Sequence, residues 1–584
     1  MNNLFDKNIR ALSQTNSLLA SRLSGIQPRY AQYRIVESRS GEKIPAAIDA
    51  NGTAHALHSA MAPGREAKRL IDTAEDGFLV LLGLWGGFYA EAALERDDIG
   101  TVLVIEFDAG GLAELLSLLD YSRLFGNPRF RLLLDNSREE IEQNIVNLYQ
   151  PVLSGGIRVI PLRPRTALEP EPFIVAANAV EAAINRVSAD YSVQAHFGKR
   201  WFSNTIRNLL HSGEKQDEIS AIHKAAVCAA GPSLSLQIKL LNEKRKDLFI
   251  IASDTSLPCL LNGGIKPDAV ISIDCQHISY YHFIISGSLP EETDLFLDLA
   301  SPPLLAAMAK RKYFFTGGHP LTRYISQVWK FLPELDTSGG NVTHAAISLA
   351  EQLGADEIEL YGADFSYPLG STYARGTYIY PFFENRQNRL LPLEAQASAF
   401  LYRTPLEKRE NHAAKWDIWR GHGGTTEDTE RKDGKNNHTW YYETGTMKRY
   451  RERLEEKCKH MDAALVPVEG LGAPIRARQI ENLRQNTKKF SCGKAMMKAE
   501  DFLRFYREGI ARLPEPGKNA AEYLALLSDE QRIVLTTLLP TAAAIKHGLA
   551  IRCKSAANFR EVLEETRTFC LAEIDTVLGL FKKE

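Results

Sequence analysis

The chain has 584 residues, 44% hydrophobic and 24% charged, a globular balance that excludes a fibrous, wholly disordered or disulfide-scaffold protein. Lys+Arg number 70 and Asp+Glu 72, so the formal charge is -2 and no global field draws the chain to nucleic acid or an anionic membrane surface. The 7 cysteines are scattered with no C-x-x-C pair and no zinc-ligand spacing, the usage expected of reduced thiols in a cytoplasm.

The start of the chain has no basic leader followed by an apolar stretch, so a secretory signal is not expected. Residues 8–19 carry a helical spacing, and the rest of the first 75 residues reads as polar and irregular. The most apolar segment, 77–90, is 14 residues long, short of the ~20 a bilayer span needs, and no membrane span is expected. It reads instead as a buried strand, FLVLL (78–82), a glycine turn (83–87) and a helix (88–95). TVLVI (101–105) and FRLLL (130–134) supply further strands, so the segment predicts a Rossmann-like parallel unit. Glu106 ends the second strand as a ribose-binding acid would. Trp85 fills the turn, however, and the glycines do not follow G-x-G-x-x-G, so a structural or degenerate unit is expected rather than a methyltransferase or dinucleotide site.

A Pro-bearing connector (161–172) leads into helical sequence to residue 210. A second alternating series follows between 224 and 364: AAVCAA, LFIIA, AVISID, LFLDLA, KYFFT and EIELYGAD, a second and more complete parallel sheet. Residues 366–441 are loop-rich, and 421–437 read as a lid or a disordered stretch. Beyond 475 only helical pattern remains. The predicted class is α/β, with domains over 1–200 (smaller, Rossmann-like), 201–475 (central Rossmann-like parallel sheet) and 476–584 (helical).

Chemistry concentrates at the predicted strand ends of the second series. In GPSL (231–234), Gly231 permits close backbone approach, Pro232 suits a first helical turn, and Ser233 places a hydroxyl at a helix start, as a phosphate or nucleotide cradle requires. An ordinary strand-to-helix turn explains the same residues equally well. Asp254 and Asp274 follow two strands and would rim the crevice beyond the sheet, binding ribose hydroxyls, a base edge or a metal, unless they serve as helix caps. Thr337, Ser338 and Gly339 precede a helix with apolar positions 342, 345, 346, 349, 350 and 353, a second anion cradle or a second cap.

The order GPSL (231–234), SD (253–254), KPDAVISID (266–274), TSGGNVTHAAISLAEQLGADEIELYGADFSY (337–367) and STYARG (371–376) resembles the motility-associated factor (Maf) family of flagellin glycosyltransferases. The MptE-like pterin pyrophosphokinases share that central domain, and bacterial sialyltransferases using a CMP-activated donor have a similar frame. The resemblance implies a glycosyltransferase domain at the centre that moves a nonulosonic acid (sialic, pseudaminic or legionaminic type) from CMP to Ser/Thr of flagellin in the cytoplasm. It implies that Gly231, Pro232 and Ser233 hold the donor phosphate. Asp254, Asp274, Gln276 and Asp364 then contact donor and nucleotide, and Thr337, Ser338 and Gly339 face the cytidine or the donor carboxylate. Tyr373 matches a tyrosine that steadies the departing phosphate. Ala230 stands where the sialyltransferases favour Asn. The proton acceptor is sought among His344, His438, His412 and His422, with His344 and His438 placed first. No cofactor is obligatory under this reading. A pyrophosphokinase would use ATP and magnesium through Asp254 and Asp274, and a non-catalytic flagellin-binding factor would need neither.

Overall fold

The structure, a computed structural model, describes residues 3–49, 51–74, 77–212, 219–284, 289–411, 439–477, 490, 493, 497–517, 520–553 and 558–581. It comprises two compact units, Met1–Lys199 with Glu508–Leu571, and Arg200–Arg507 with Ala572–Glu584. The helical sequence after 475 is thus divided between these units, where the sequence suggests a third body.

In the first unit β1 (Tyr33–Glu37), β2 (Lys43–Ile48) and β3 (Ala54–Ala56) form an antiparallel sheet in a stretch that the sequence pattern leaves irregular. β4 (Phe78–Leu82), β5 (Thr101–Glu106), β6 (Phe130–Leu134) and β7 (Ile157–Pro161) form a parallel sheet in the order β6-β5-β4-β7. β4 is buried along its length because both faces are covered. Leu79 and Leu81 enter one core with Leu112 and Leu115, while Phe78, Val80 and Leu82 enter another with Ile141 and Val180. A strand buried on both faces reads as an unbroken apolar run.

The turn after β4 is filled from within. Trp85 is buried at φ 44°, and Arg165 lies 5.4 Å from its ring centroid. Both Glu106 oxygens are engaged, by the Leu84 N–H at 3.2 Å and the Phe107 N–H at 2.9 Å, with Arg165 at 3.3 Å. The helices Pro170–Ser212 and Asp529–Cys553 meet at backbone distance within this unit: a Cβ on Gly198 would stand 1.7 Å from the Pro540 carbonyl oxygen. The second of these helices is long and apolar enough to cross a membrane by length and composition alone, which the sequence reading missed. Of its most apolar window, 61% is buried within the fold, as in a core helix.

The second unit contains, in chain order, β8 (Lys224–Cys228), β9 (Phe249–Ser253), β10 (Ala269–Ser272), β11 (Asp294–Asp298), β12 (Arg311–Phe315), β13 (Glu357–Tyr361), β14 (Tyr367–Pro368), β15 (Glu407–Asn411), β16 (Thr439–Glu443) and β17 (Ala464–Pro467). Seven of them form one parallel sheet, β12-β11-β10-β9-β8-β13-β17, and β14-β16-β15 form a small antiparallel one. The chain steps outward from β8 to β12, then returns to lay β13 on the other side of β8. That reversal opens a crevice at the carboxyl edge of the sheet, where open α/β folds take their ligands. Asn204 and Asn208 brace this edge, donating to the carbonyls of Cys275 and Ala300, and of Leu299 and Ser301.

Candidate functional site

At the reversal the GPSL turn is tied to the strand end after β13. The Gly231 N–H donates to the Gly362 carbonyl at 2.8 Å, and a Cβ at 231 would lie 2.4 Å from both that oxygen and an Asp364 oxygen, so only glycine permits the approach. Gly362 sits at φ +61° with Ala229 O 2.5 Å from its would-be Cβ. The Ser233 N–H donates to one Asp364 oxygen at 2.8 Å, its hydroxyl donates to the other, and the same hydroxyl accepts from the Leu471 N–H at 2.8 Å. Both side chains are buried, and burial raises the Asp364 carboxyl against the bonds from Ser233 and Gly472. Their polar groups are thus engaged with each other and with the 470–473 loop. A cavity of about 130 Å³ lies beside this knot, lined by Ser233, Gln237, Asp364, Asn411 and Gly470. Pro232 is half-buried at the start of the turn.

The two acids come together with groups that the sequence does not single out. Asp254 accepts from the Ser272 hydroxyl at 2.7 Å on one oxygen, and from the Thr255 N–H at 2.7 Å and hydroxyl at 3.1 Å on the other. Gln276 holds Asp274, through its N–H at 2.9 Å and side-chain amide at 3.3 Å. Burial raises the Asp274 carboxyl, and the charge of Asp254 pushes the same way. His282, on the short helix Ile278–Ile284, lies with Nε2 3.4 Å from the Thr255 hydroxyl. Burial lowers its pKa while Asp254 and Asp274 oppose that shift. The Tyr378 ring meets His282 edge-on at 4.6 Å, and Tyr373 follows at 6.2 Å from Tyr378. Burial raises the Tyr373 hydroxyl well above its ordinary value, so it remains a proton donor at neutral pH. The STYARG segment is pinned to the GPSL turn by Ala374 N–H to Ala230 O at 2.9 Å and Arg375 N–H to the Ser235 hydroxyl at 2.8 Å. His282 and Tyr378 are therefore the members that the motifs did not reveal.

The TSG turn forms a second polar centre. The Thr337 hydroxyl accepts from the Gly318 N–H at 3.1 Å. Ser338 donates to Asp336 from its N–H at 3.0 Å and its hydroxyl at 2.6 Å, and Lys457 reaches the other Asp336 oxygen at 3.0 Å. Burial resists the Asp336 charge, but the bonds from Ser338 and Lys457 outweigh it and bring the carboxyl down to about 2. Asn341 caps the helix Val342–Gln352, accepting from the His344 N–H at 3.1 Å, and its Oδ1 lies 2.9 Å from His344 Nδ1. His344 is buried, and burial together with Lys457 lowers it to about 4, so the ring is neutral at pH 7. Ser338, Gly339, His344, Arg453 and Lys457 line a pocket of about 580 Å³. The His344 ring lies 6.1 Å from Phe365, beside Asp364, which links this pocket to the reversal. Asp298, at the end of β11, is buried and raised to about 7, a titratable group that the sequence did not flag.

His438, with His412, His422 and the 421–437 stretch, lies outside the described residues. Among the described residues no group of three or more His, Cys, Asp or Glu gathers to hold a metal ion; Asp254 and Asp274 offer two carboxylates.

Residues 199–370 match the family described as 6-hydroxymethylpterin diphosphokinase MptE-like. An uncharacterized protein of Treponema pallidum (strain Nichols) is 34% identical over 167 residues, 28% of this chain and 80% of that protein. A second from the same organism is 39% identical over 122 residues, where the chain covers 43% of its length, and a third is 24% identical over 247 residues, with 53% covered. Among solved structures, a Maf glycosyltransferase from Magnetospirillum magneticum AMB-1 superposes with a TM-score of 0.57 at 14% identity, covering 99% of this chain and 96% of that one. At that identity the likeness is one of fold, and it runs end to end. The chain therefore belongs to one family with the first treponemal protein, with an MptE-like domain at its centre and the fold of a Maf glycosyltransferase throughout, in agreement with the resemblance carried by its motifs.

Proposed function

We propose that this chain is a glycosyltransferase that moves a nonulosonic acid from a CMP-activated donor onto Ser/Thr of flagellin in the cytoplasm. The observation that carries this reading is the meeting of Asp254, Asp274 and Tyr373 at the carboxyl edge of the sheet, in a fold shared with a Maf glycosyltransferase.

In such a transfer the bond from the anomeric carbon to the phosphate oxygen breaks as the bond to the acceptor oxygen forms, and the acceptor proton needs a base. Negative charge grows on the departing phosphate. Tyr373, protonated at neutral pH, donates to it. Asp254 and Asp274 accept from donor hydroxyls and stabilise the positive charge that builds on the sugar. His282 is the described histidine beside these acids, neutral through burial and so able to accept the proton. His344 and the Thr337, Ser338 and Gly339 turn serve the nucleotide, from the pocket that Ser338, Gly339 and His344 line.

The test is intact-mass spectrometry of flagellin incubated with the protein and CMP-N-acetylneuraminate, CMP-pseudaminate or CMP-legionaminate. A mass gain of one nonulosonic acid per modified site is expected with at least one donor, at a rate at least about tenfold lower for Asp254→Asn. No gain with any donor overturns the reading.

A second reading, pyrophosphoryl transfer from ATP with magnesium, has one observation in its favour. Burial raises the Asp274 carboxyl and the Asp254 charge adds to it, and a divalent cation between the two would relieve that repulsion. AMP formation from ATP, magnesium and a hydroxymethylpterin would support that reading.

A further inference from the structure

The aromatic rings beside the two acids continue outward to a cation. His282 meets Tyr378 at 4.6 Å, Tyr378 meets Tyr373 at 6.2 Å, and Tyr373 meets Phe400 at 6.3 Å. The Arg403 guanidinium lies over the Phe400 ring at 4.3 Å. Its charge reaches the hydroxyls of Tyr367, Tyr373 and Tyr378, in each case opposing the upward push of burial. Neighbouring arginines are matched with acids: Arg409 with Glu407 and Glu443, and Arg451 with Glu443 and Glu455. Arg403 is exposed and has no acidic partner among the described residues.

We propose that Arg403 is the specificity-determining anchor for the carboxylate of the transferred sugar. The proposal rests on the glycosyltransferase reading above and deepens it, because it selects a carboxylated glycosyl group over a neutral hexose. One end of the ring wall carries Asp254 and Asp274, which accept from hydroxyls. The other carries a planar fork of donors suited to a carboxylate. A nonulosonic acid has both kinds of group, and its carboxylate is borne by the anomeric carbon itself. An anchor for it therefore belongs close to the tyrosine that meets the departing phosphate, and Phe400 brings Arg403 to Tyr373. The Phe400 ring, 4.3 Å from the guanidinium carbon, covers one side of Arg403, and the water it displaces there strengthens a charge pair on the group. A neutral hexose offers Arg403 hydroxyl acceptors alone, without the charge or the paired oxygens of a carboxylate.

The test compares N-acetylneuraminic acid with its C1 methyl ester by calorimetric titration into the full chain, wild type and Arg403→Ala, with Arg403→Lys as the charge-retaining control. Wild type should bind the acid at least about tenfold more tightly than the ester, Arg403→Ala should bind the two alike, and Arg403→Lys should recover part of the preference. Equal binding of acid and ester by wild type, no binding of either, or a preference that persists in Arg403→Ala overturns the proposal. CMP titrated in parallel separates the two levels. CMP binding without acid–ester discrimination sinks the anchor and leaves the transferase reading. Discrimination lost on Arg403→Ala, with no CMP binding, sinks the CMP donor and leaves the anchor.

Discussion

Ser233 occupies the place where the motif order puts a phosphate contact, yet both of its polar groups are bound within the fold, to Asp364 and Leu471. Ser233→Ala removes the hydroxyl, leaving Asp364 with one bond fewer and the Leu471 N–H without its acceptor, both in buried surroundings. A loss of about 1–3 kcal/mol is expected, read as a lower urea midpoint. His344 makes a prediction in pH. Its value in the folded chain is about 4 against an ordinary 6.5, so between these values the unfolded chain binds the proton more readily. Stability from this group is complete above pH 6.5 and is lost as pH falls toward 4. Urea titrations at pH 7.5 and 4.5 should show wild type losing more stability than His344→Gln, by about 1–3 kcal/mol. Asp254 and Asp274 were legible as a pair because acids that follow neighbouring parallel strands face one crevice, whereas Tyr373 was named only through the resemblance of its motif. Ser233 was not legible as a structural tie, since its partners lie 131 and 238 residues away along the chain. His282 escaped notice because a seven-residue helix without a motif places it.

The apolar strands were readable wherever both faces are buried, as in β4, β9, β10 and β11, whose runs leave no alternative to a covered parallel sheet. β7 and β17 were missed for the complementary reason. Each is a sheet edge with an interrupted burial pattern, and β17 pairs with β13 across more than a hundred residues. β1, β2 and β3 are short, partly exposed antiparallel strands, and their residues carry little apolar alternation. Helix contacts were less legible still, because close approach depends on one residue. Gly198 lets its helix touch the backbone at Pro540, so Gly198→Ala forces the two helices apart. Differential scanning calorimetry should register about 1–3 kcal/mol of destabilisation or more.

Across the molecule, two parallel sheets of similar kind have different fates at their carboxyl edges. In the first unit the edge is closed by Trp85, and Glu106 is bound by backbone and by Arg165. Arg165→Met leaves that buried carboxylate without its cation, and a cost of about 3–5 kcal/mol is expected by urea denaturation. For the same reason S-adenosylmethionine and NAD should leave the melting temperature of the wild-type protein unchanged. In the second unit the edge keeps Asp254, Asp274, Tyr373 and the pocket at Ser338, where the proposed donor belongs. The most direct measurement is calorimetric titration of CMP into wild type, Asp254→Ala and Ser338→Ala. Saturable binding to wild type, weakened at least about tenfold in both variants, is the predicted result. Binding of ATP with magnesium while CMP gives no heat, or CMP binding untouched by both substitutions, would contradict the account.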